Sequence, residues 1–327
     1  MFFKTYTFIV QLEMIRIETY SPQRFDDWNN FVAQSKNGTF LIDRRYMDYH
    51  QKRFHDMSLM FYDKKGLVAV LPSHDEGGHL YSHRGLSYGG LILNNRATTV
   101  LVCEIFRDLN IFLREIKGFS HVEYKAIPWI YHRLPSEEPL YALTKVCQAQ
   151  LKSRDVASVV ILDRRLPFVE SRRGGIRKAV RAGVSVAEMD DFSPFWSVLE
   201  ANLMARHHAR PIHSLEEIML LKSRFPQNIR LYVACYEGTV IGGTVLYIDR
   251  DVVKTQYISA SEQGKEMGAL DFLMASLLDK FAHENFRYFD FGTSNFKTSD
   301  DLHESLIFQK EGFGGRTVCC DTYEWEL

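Results

Sequence analysis

The sequence predicts an α/β protein of two similar units, each a mixed, mostly antiparallel sheet flanked by helices, facing each other across a cleft. The first observation is a repeated order. Hairpin, strand, helix and strand follow one another over residues 59–127 and again over residues 229–291. The second is the apolar spacing inside the later pass. Residues 255–260 are β-branched and aromatic, as a strand requires. Apolar residues then recur at Met267, Leu270, Leu273, Met274, Leu277, Leu278 and Phe281, one buried helix face. Residues 288–291 return as an aromatic strand. The third is size: 327 residues, 46% hydrophobic and 25% charged, suit one large or two moderate soluble domains.

Taken in order, residues 1–13 carry one Lys and no small-residue cleavage site, so they read as an over-long start or a loose extension. A natural start follows at Met14. Residues 15–20 alternate as a first strand. Ser21-Pro22 opens a helix that buries Phe25, Trp28, Phe31 and Val32. Residues 39–54 interleave aromatic and basic side chains and read as a helix with one face inward. A hairpin turns at Lys64-Lys65-Gly66. His74, His79 and His83, beside Asp75 and Glu76, match no metal spacing and read as a solvated loop. Residues 98–117 form a helix and 122–127 a strand. Residues 128–150, with Pro135 and Pro139, connect the halves, which divides the chain into 14–150 and 151–327.

The second half opens with a strand over 158–162 and a basic helix over 168–182 interrupted at Gly174-Gly175. Helices over 192–208 and 214–225 follow, the latter with a Ser214/Glu217 capping box. The hairpin over 229–248 turns at Glu237-Gly238, and Gly242-Gly243 marks a bulge. Residues 261–265 are a polar turn. Ser299 caps the last helix, Gly312 ends it, and residues 316–325 form the closing strand.

Several function classes are disfavoured. The net charge of −1 argues against a surface that coats nucleic acid. The five cysteines are scattered and odd in number, which suits a reduced, cytoplasmic protein without a metal site. No apolar run approaches the ~20 residues of a membrane span.

The turn before the long helix is where chemistry is expected. The first turn of a helix has unpaired N–H groups and partial positive charge. A neighbouring glycine lets a phosphate approach them. Gln263, Gly264, Lys265, Gly268 and Ala269 are the candidates for that contact.

The order hairpin, strand, phosphate-type turn, helix, strand resembles the acyl-CoA-binding half of the GNAT acyltransferases. The GNAT turn runs Gln/Arg-x-x-Gly-x-Gly/Ala, and Gln263 to Ala269 holds the same ingredients at a different spacing. Arg172-Arg173-Gly174-Gly175-Ile176-Arg177-Lys178-Ala179 resembles a helix near the domain junction of Fem-type proteins. Asp290-Phe291-Gly292 followed by Phe308-Gln309-Lys310-Glu311-Gly312-Phe313-Gly314 resembles their Asp-Phe-Gly … Phe-Lys-x-x-Phe-Gly ending, with one residue inserted. From Met14 onward the chain is thus similar to the bacterial double-GNAT (Fem/CelD-type) acyltransferases, especially the branch found with surface-polysaccharide genes.

That resemblance implies transfer of an acyl group from acyl-CoA to an amine, such as an amino sugar of a cell-envelope precursor. It leaves open an aminoacyl-tRNA donor acting on a peptidoglycan precursor, and a non-catalytic protein that binds a nucleotide-sugar or glycan. Acyl transfer needs a base for the amine, and His207 or Asp290 can serve. Lys310 can balance charge on the donor. An anionic, nucleotide-linked acceptor would meet Arg44, His50, Arg53 and Arg177, with Tyr46 and Tyr88 to stack on a ring.

Overall fold

Apolar spacing and capping account for most elements of the first half in a computed structural model that describes residues 15–296 and 301–327. β1 (Arg16–Thr19) leads into α1 (Phe25–Gln34), which buries Trp28 and Val32. α2 (Arg44–Met47) is a single turn capped by the Asp43 side chain. There follow β2 (His55–Asp56), the hairpin β3 (Leu59–Asp63) and β4 (Gly66–Leu71), the hairpin β5 (His74–Glu76) and β6 (His79–Tyr81), and β7 (Ile92–Leu93). α3 (Thr99–Ile111) is capped by Thr98 and precedes β8 (His121–Lys125) and α4 (Glu138–Lys145).

The second half comprises β9 (Gln150–Ile161), α5 (Glu170–Ala182), β10 (Ser185–Met189), α6 (Ser193–His207) and α7 (Leu215–Arg224). The meander β11 (Ile229–Tyr236), β12 (Thr239–Asp249) and β13 (Val252–Ala260) comes next. Both turn residues of its first hairpin have positive φ, 48° at Glu237 and 76° at Gly238, the primed geometry that matches strand twist. α8 (Glu262–Met267), α9 (Ala269–His283), β14 (Tyr288–Thr293), α10 (Glu304–Glu311) and β15 (Arg316–Glu326) complete the chain.

Six local expectations change. Residues 39–54 break into short pieces, because Asp43 caps at one point and His50 leaves helical geometry at φ −120°, ψ 23°. The polar residues 261–265 are not a turn but lie mostly in α8, started by Ser261 Oγ accepting from the Gly264 N–H at 3.1 Å. Gly174-Gly175 does not interrupt α5. A Cβ at Gly175 would lie 1.8 Å from Asp271 Oδ2, so this glycine lets α5 and α9 approach closely. The stretch 128–150 contains α4, and β9 starts earlier than residue 158. The last helix is capped by His303, whose Nδ1 accepts from the Leu306 N–H; Ser299 lies outside the described residues, as do residues 1–13.

Strands β1-β3-β4-β7 make a four-stranded sheet. The second sheet has eleven strands in the order β10-β11-β12-β13-β14-β9-β15-β8-β6-β5-β2 and joins the halves. β15 is the seam. Arg316 to Glu324 pair with β9 on one side, and Thr322 to Glu326 pair with β8 on the other. The end of the chain thereby completes the core of the first half. Trp325 is 5% exposed, packs with Phe106, and donates from Nε1 to Asn110 Oδ1 at 3.1 Å. Trp325→Ala should lower unfolding stability by about 3–5 kcal/mol, the range for emptying a large aromatic site. Urea denaturation checks this, and a loss under 1 kcal/mol would show that β15 is not needed to hold that core.

Candidate active site where two strands part

β13 and β14 are parallel neighbours only through Val252, Val253 and Lys254, opposite Tyr288, Phe289 and Asp290. Beyond that level both strands are bulged. β13 shifts register against β12 between Val245 and Leu246, and β14 shifts against β9 between Asp290 and Thr293. A bulge bends its strand and increases local twist. Two of them at one level turn the strands apart and open a wedge in the sheet.

A cavity of about 320 Å³ fills the wedge on one side. β13 contributes Ile258, Ser259 and Ala260, β14 contributes Phe291, and α10 contributes Leu306, Gln309 and Lys310. Arg206 and Lys265 bring positive charge to its rim. Lys265 Nζ donates to Asn202 Oδ1 at 2.8 Å and pairs with Glu262. Lys310 is 6% exposed, and burial lowers its pKa to about 8. Its Nζ donates to Gly292 O at 2.9 Å, Thr293 O at 2.7 Å and Ser294 Oγ at 2.9 Å. All three ammonium protons are then engaged. Lys310 pins the end of β14 and contributes charge to the cavity, not a spare hydrogen bond.

A second cavity of about 180 Å³ lies between the halves, with Gly292 and Thr293 of β14 in its wall where Phe291 lines the first. Asp290 faces it. This carboxylate is 3% exposed and accepts from the Tyr131 hydroxyl at 2.6 Å through Oδ2 and from the Gly292 N–H at 2.7 Å through Oδ1. Lys125 and Lys254 line the same cavity, and burial lowers the pKa of both. The two cavities are therefore separated by little more than the end of β14, with Lys310 on one side and Asp290 on the other.

Residues 170–298 match the family model described as an acetyltransferase (GNAT) domain. The chain has a double-GNAT fold of the Fem type. Solved structures similar to it include FemX, at 8% identity with a TM-score of 0.67, covering 95% of this chain and 97% of FemX. L-PGS from Bacillus licheniformis is similar at 11% identity and a TM-score of 0.59, over 94% of this chain and 92% of that one. A tandem GNAT protein from the clavulanic acid biosynthesis pathway is similar at 11% identity and 0.52, over 95% and 98%. No curated protein matches the sequence. No helix among the described residues is long and apolar enough to cross a membrane.

Within this double-GNAT fold, the residues singled out by sequence separate. Asp290 and Tyr88 line the cavity between the halves, and Lys265 and Lys310 line the wedge. Gln263 is exposed on α8. Gly264 and Gly268 serve close packing: added Cβ atoms would lie 2.1 Å from Ile241 O and 2.4 Å from Gly175 O. Ala269 is buried behind them. His207 is the last residue of α6. Arg44 is buried, pairs with Asp48 and Asp56, and stacks on Tyr20 at 3.7 Å. Tyr46 is in the core, its hydroxyl 3.2 Å from that of Tyr247. Arg53 pairs with Glu217 and Arg177 with Glu170 on the surface. These basic residues have protein partners, and the fold does not gather them into one cleft.

Lys125, Lys254, Tyr131 and Arg206 had no place in the sequence reading. Lys254 alternates with the buried Val253, which would suggest solvent; only the first half, packed over that face, makes it a cavity residue.

His50 belongs elsewhere, with His74 and His83. These two are buried rather than part of a solvated loop, at 2% and 4% exposure. Phe54 packs against all three rings at 4.8–5.1 Å between centroids. Both ring nitrogens of His50 and the Nδ1 atoms of His74 and His83 have no hydrogen-bond partner among the described residues. Burial lowers the pKa to about 4 at His50 and His74 and about 3 at His83. The folded state therefore holds neutral rings while the unfolded chain binds protons below pH ~6.5. Stability should be full above pH ~6.5 and fall progressively toward pH ~4, by up to about 1.4 kcal/mol per pH unit for each ring. Urea midpoints from pH 7.5 to 4.5 check this, and His74→Phe should reduce the slope by about one ring's share. A flat profile would contradict it.

Proposed function

We propose that the protein is an N-acyltransferase that takes an acyl group from acyl-CoA in the wedge and passes it to an amine held between the halves. The observation that carries this reading is the pair of cavities flanking the end of β14, one lined by Phe291 and Lys310 and the other by Asp290, Gly292 and Thr293. A donor on one side and a nucleophile on the other can meet there, and holding both in line is a large part of the catalysis of a two-substrate transfer. The GNAT match over residues 170–298 supports the reaction type.

The parted strands leave backbone N–H and C=O groups without strand partners, which suits an amide-bearing arm laid along them as an added strand. Arg206 and Lys265 at the rim suit the phosphates of CoA. Asp290 takes the proton as the amine attacks. The new N–C bond forms, the C–S bond breaks, and the departing thiolate takes up that proton from Asp290, so that CoA leaves as the thiol. Tyr131 and the Gly292 N–H orient the carboxylate. Lys310 keeps the β14 terminus in place and adds positive charge near the developing oxyanion. The acceptor class we favour is an amino sugar or related amine of a cell-surface polysaccharide precursor, acted on in the cytoplasm. The likeness to FemX favours a second reading, with aminoacyl-tRNA as donor. The net charge of −1 weighs against it, because a tRNA rewards a broad basic surface.

Acetyl-CoA at 100 times its dissociation constant should stabilise the fold by about 2.7 kcal/mol, seen as a raised melting midpoint. Arg206→Glu should weaken that shift at least fivefold in affinity. No shift with any acyl-CoA, together with one from an aminoacyl-tRNA, would replace the first reading by the second. Asp290→Asn preserves the shape that Tyr131 and Gly292 hold, and should lower kcat by about 10²–10⁴ while donor affinity stays within twofold. If it keeps full turnover and His207→Ala does not, the base is His207.

A further inference from the structure

The cavity between the halves carries a charge arrangement that the acyl-transfer reading does not require. Lys254 and Asp290 are register partners on adjacent parallel strands, so their side chains emerge on the same face of the sheet. Such a pair would ordinarily close into an ion pair. Here it does not. Lys254 Nζ reaches away across the cavity to the Ser87 hydroxyl, at 2.8 Å, and sits 5.9 Å from the centre of the Tyr88 ring. Lys125 Nζ donates to Leu86 O at 3.0 Å. Among the described residues, neither ammonium has a carboxylate oxygen within 4 Å, and each has one hydrogen-bond acceptor for its three protons.

The other charges on the wall do not remove the demand for an anion. Asp321 is held by Arg154 in a two-pronged pair at 2.7 and 2.8 Å. Asp155 lies on the wall, and its charge favours the ammonium of Lys125. Asp290 is held by Tyr131 and Gly292 at the opposite side, next to the wedge. The cavity thus has two under-satisfied cations facing the first half and a fixed carboxylate facing the donor.

We infer that this cavity binds a zwitterionic acceptor end, a primary amine with a carboxylate or phosphate a few bonds away. The amine lies at Asp290 and the anion between Lys125 and Lys254. The inference rests on the acyl-transfer reading and names the substrate class of that same site. The volume of about 180 Å³ is below the ~300–1,000 Å³ of sites that enclose drug-sized ligands. It accommodates an amino acid, or the amino-acid end of a larger molecule whose remainder projects outside. Transfer would join the nitrogen to the acyl carbon and break the donor's C–S bond; the ammonium gives up two protons, one to Asp290 and one to the departing sulfur, which leaves as the thiol. The anion stays unreacted and sets position.

The test uses the purified full chain and saturation-transfer NMR titrations, which need no turnover. Glycine, β-alanine and 2-aminoethyl phosphate are compared with propylamine and propionate, each of which lacks one of the two charges. At least one of the first three should bind tenfold or more tightly than both single-charge compounds. Lys254→Met and Lys125→Met should each cost that ligand tenfold or more, and Lys254→Arg should recover part of the loss. Glycyl-glycine and L-alanyl-β-alanine separate the two sources: binding tighter than the free amino acids points to a peptide end, weaker binding to a free amino acid. Acetyl-CoA melting shifts on the same samples report folding and the donor site independently. Propylamine binding as tightly as β-alanine, unchanged affinity in both methionine variants, or no binding by any probe while the acetyl-CoA shift is intact would overturn the inference. Loss of the acetyl-CoA shift in the parent protein would instead count against the acyl-CoA reading on which it rests.

Discussion

The site depends on the parting of β13 and β14 after three residue pairs. Parallel strands that stayed paired would satisfy their backbone groups against each other and leave no space between them. The register shifts at Val245/Leu246 and at Asp290/Thr293 prevent this on both sides of the gap at one level. The chain then has to hold the open edges in place. Lys310 does so for β14 by donating to three oxygens around Gly292, Thr293 and Ser294. α6 packs on β12 and β13, with the Phe195 ring so close to Gly243 of β12 that an added Cβ would lie 2.6 Å from it.

The same constraint explains why buried lysines gather here. Asp290 acts on Lys254 and Lys310, and Lys125 lines the same cavity as Lys254, in a region where burial disfavours each ammonium. A buried charge without a close partner costs free energy that the rest of the fold must offset. Lys310 recovers much of it through three hydrogen bonds. Lys125 and Lys254 recover less, which is the physical basis for assigning them a ligand. The histidine cluster around Phe54 is a contrasting solution to the same problem: those groups stay neutral.

Much of the architecture was legible because it follows from local spacing. The Ser214/Glu217 capping box, the Glu237-Gly238 turn and the apolar face of α9 depend on residues close in sequence and were placed from them. The candidate site was only partly legible. Asp290, Lys310, Lys265 and Tyr88 reach the two cavities. Arg44, Arg53 and Arg177 share the same chemistry in sequence but find carboxylates on the protein, and no local pattern distinguishes a paired arginine from an available one. Gly264 and Gly268 were legible as glycines that permit close approach. What approaches is protein backbone, from β12 and α5.

By itself, the sequence determined many of the element types and the expectation of an acyltransferase fold. These follow from periodicity, capping and short motifs, each acting over a few residues. Tertiary structure alone decided which side chains share a cavity. Lys254 meets Ser87 across 167 residues, and Tyr131 meets Asp290 across 159. β15 returns from the chain's end to close the first half. Such contacts depend on how sheets stack and where strands part, so the identity of neighbouring residues carries no record of them.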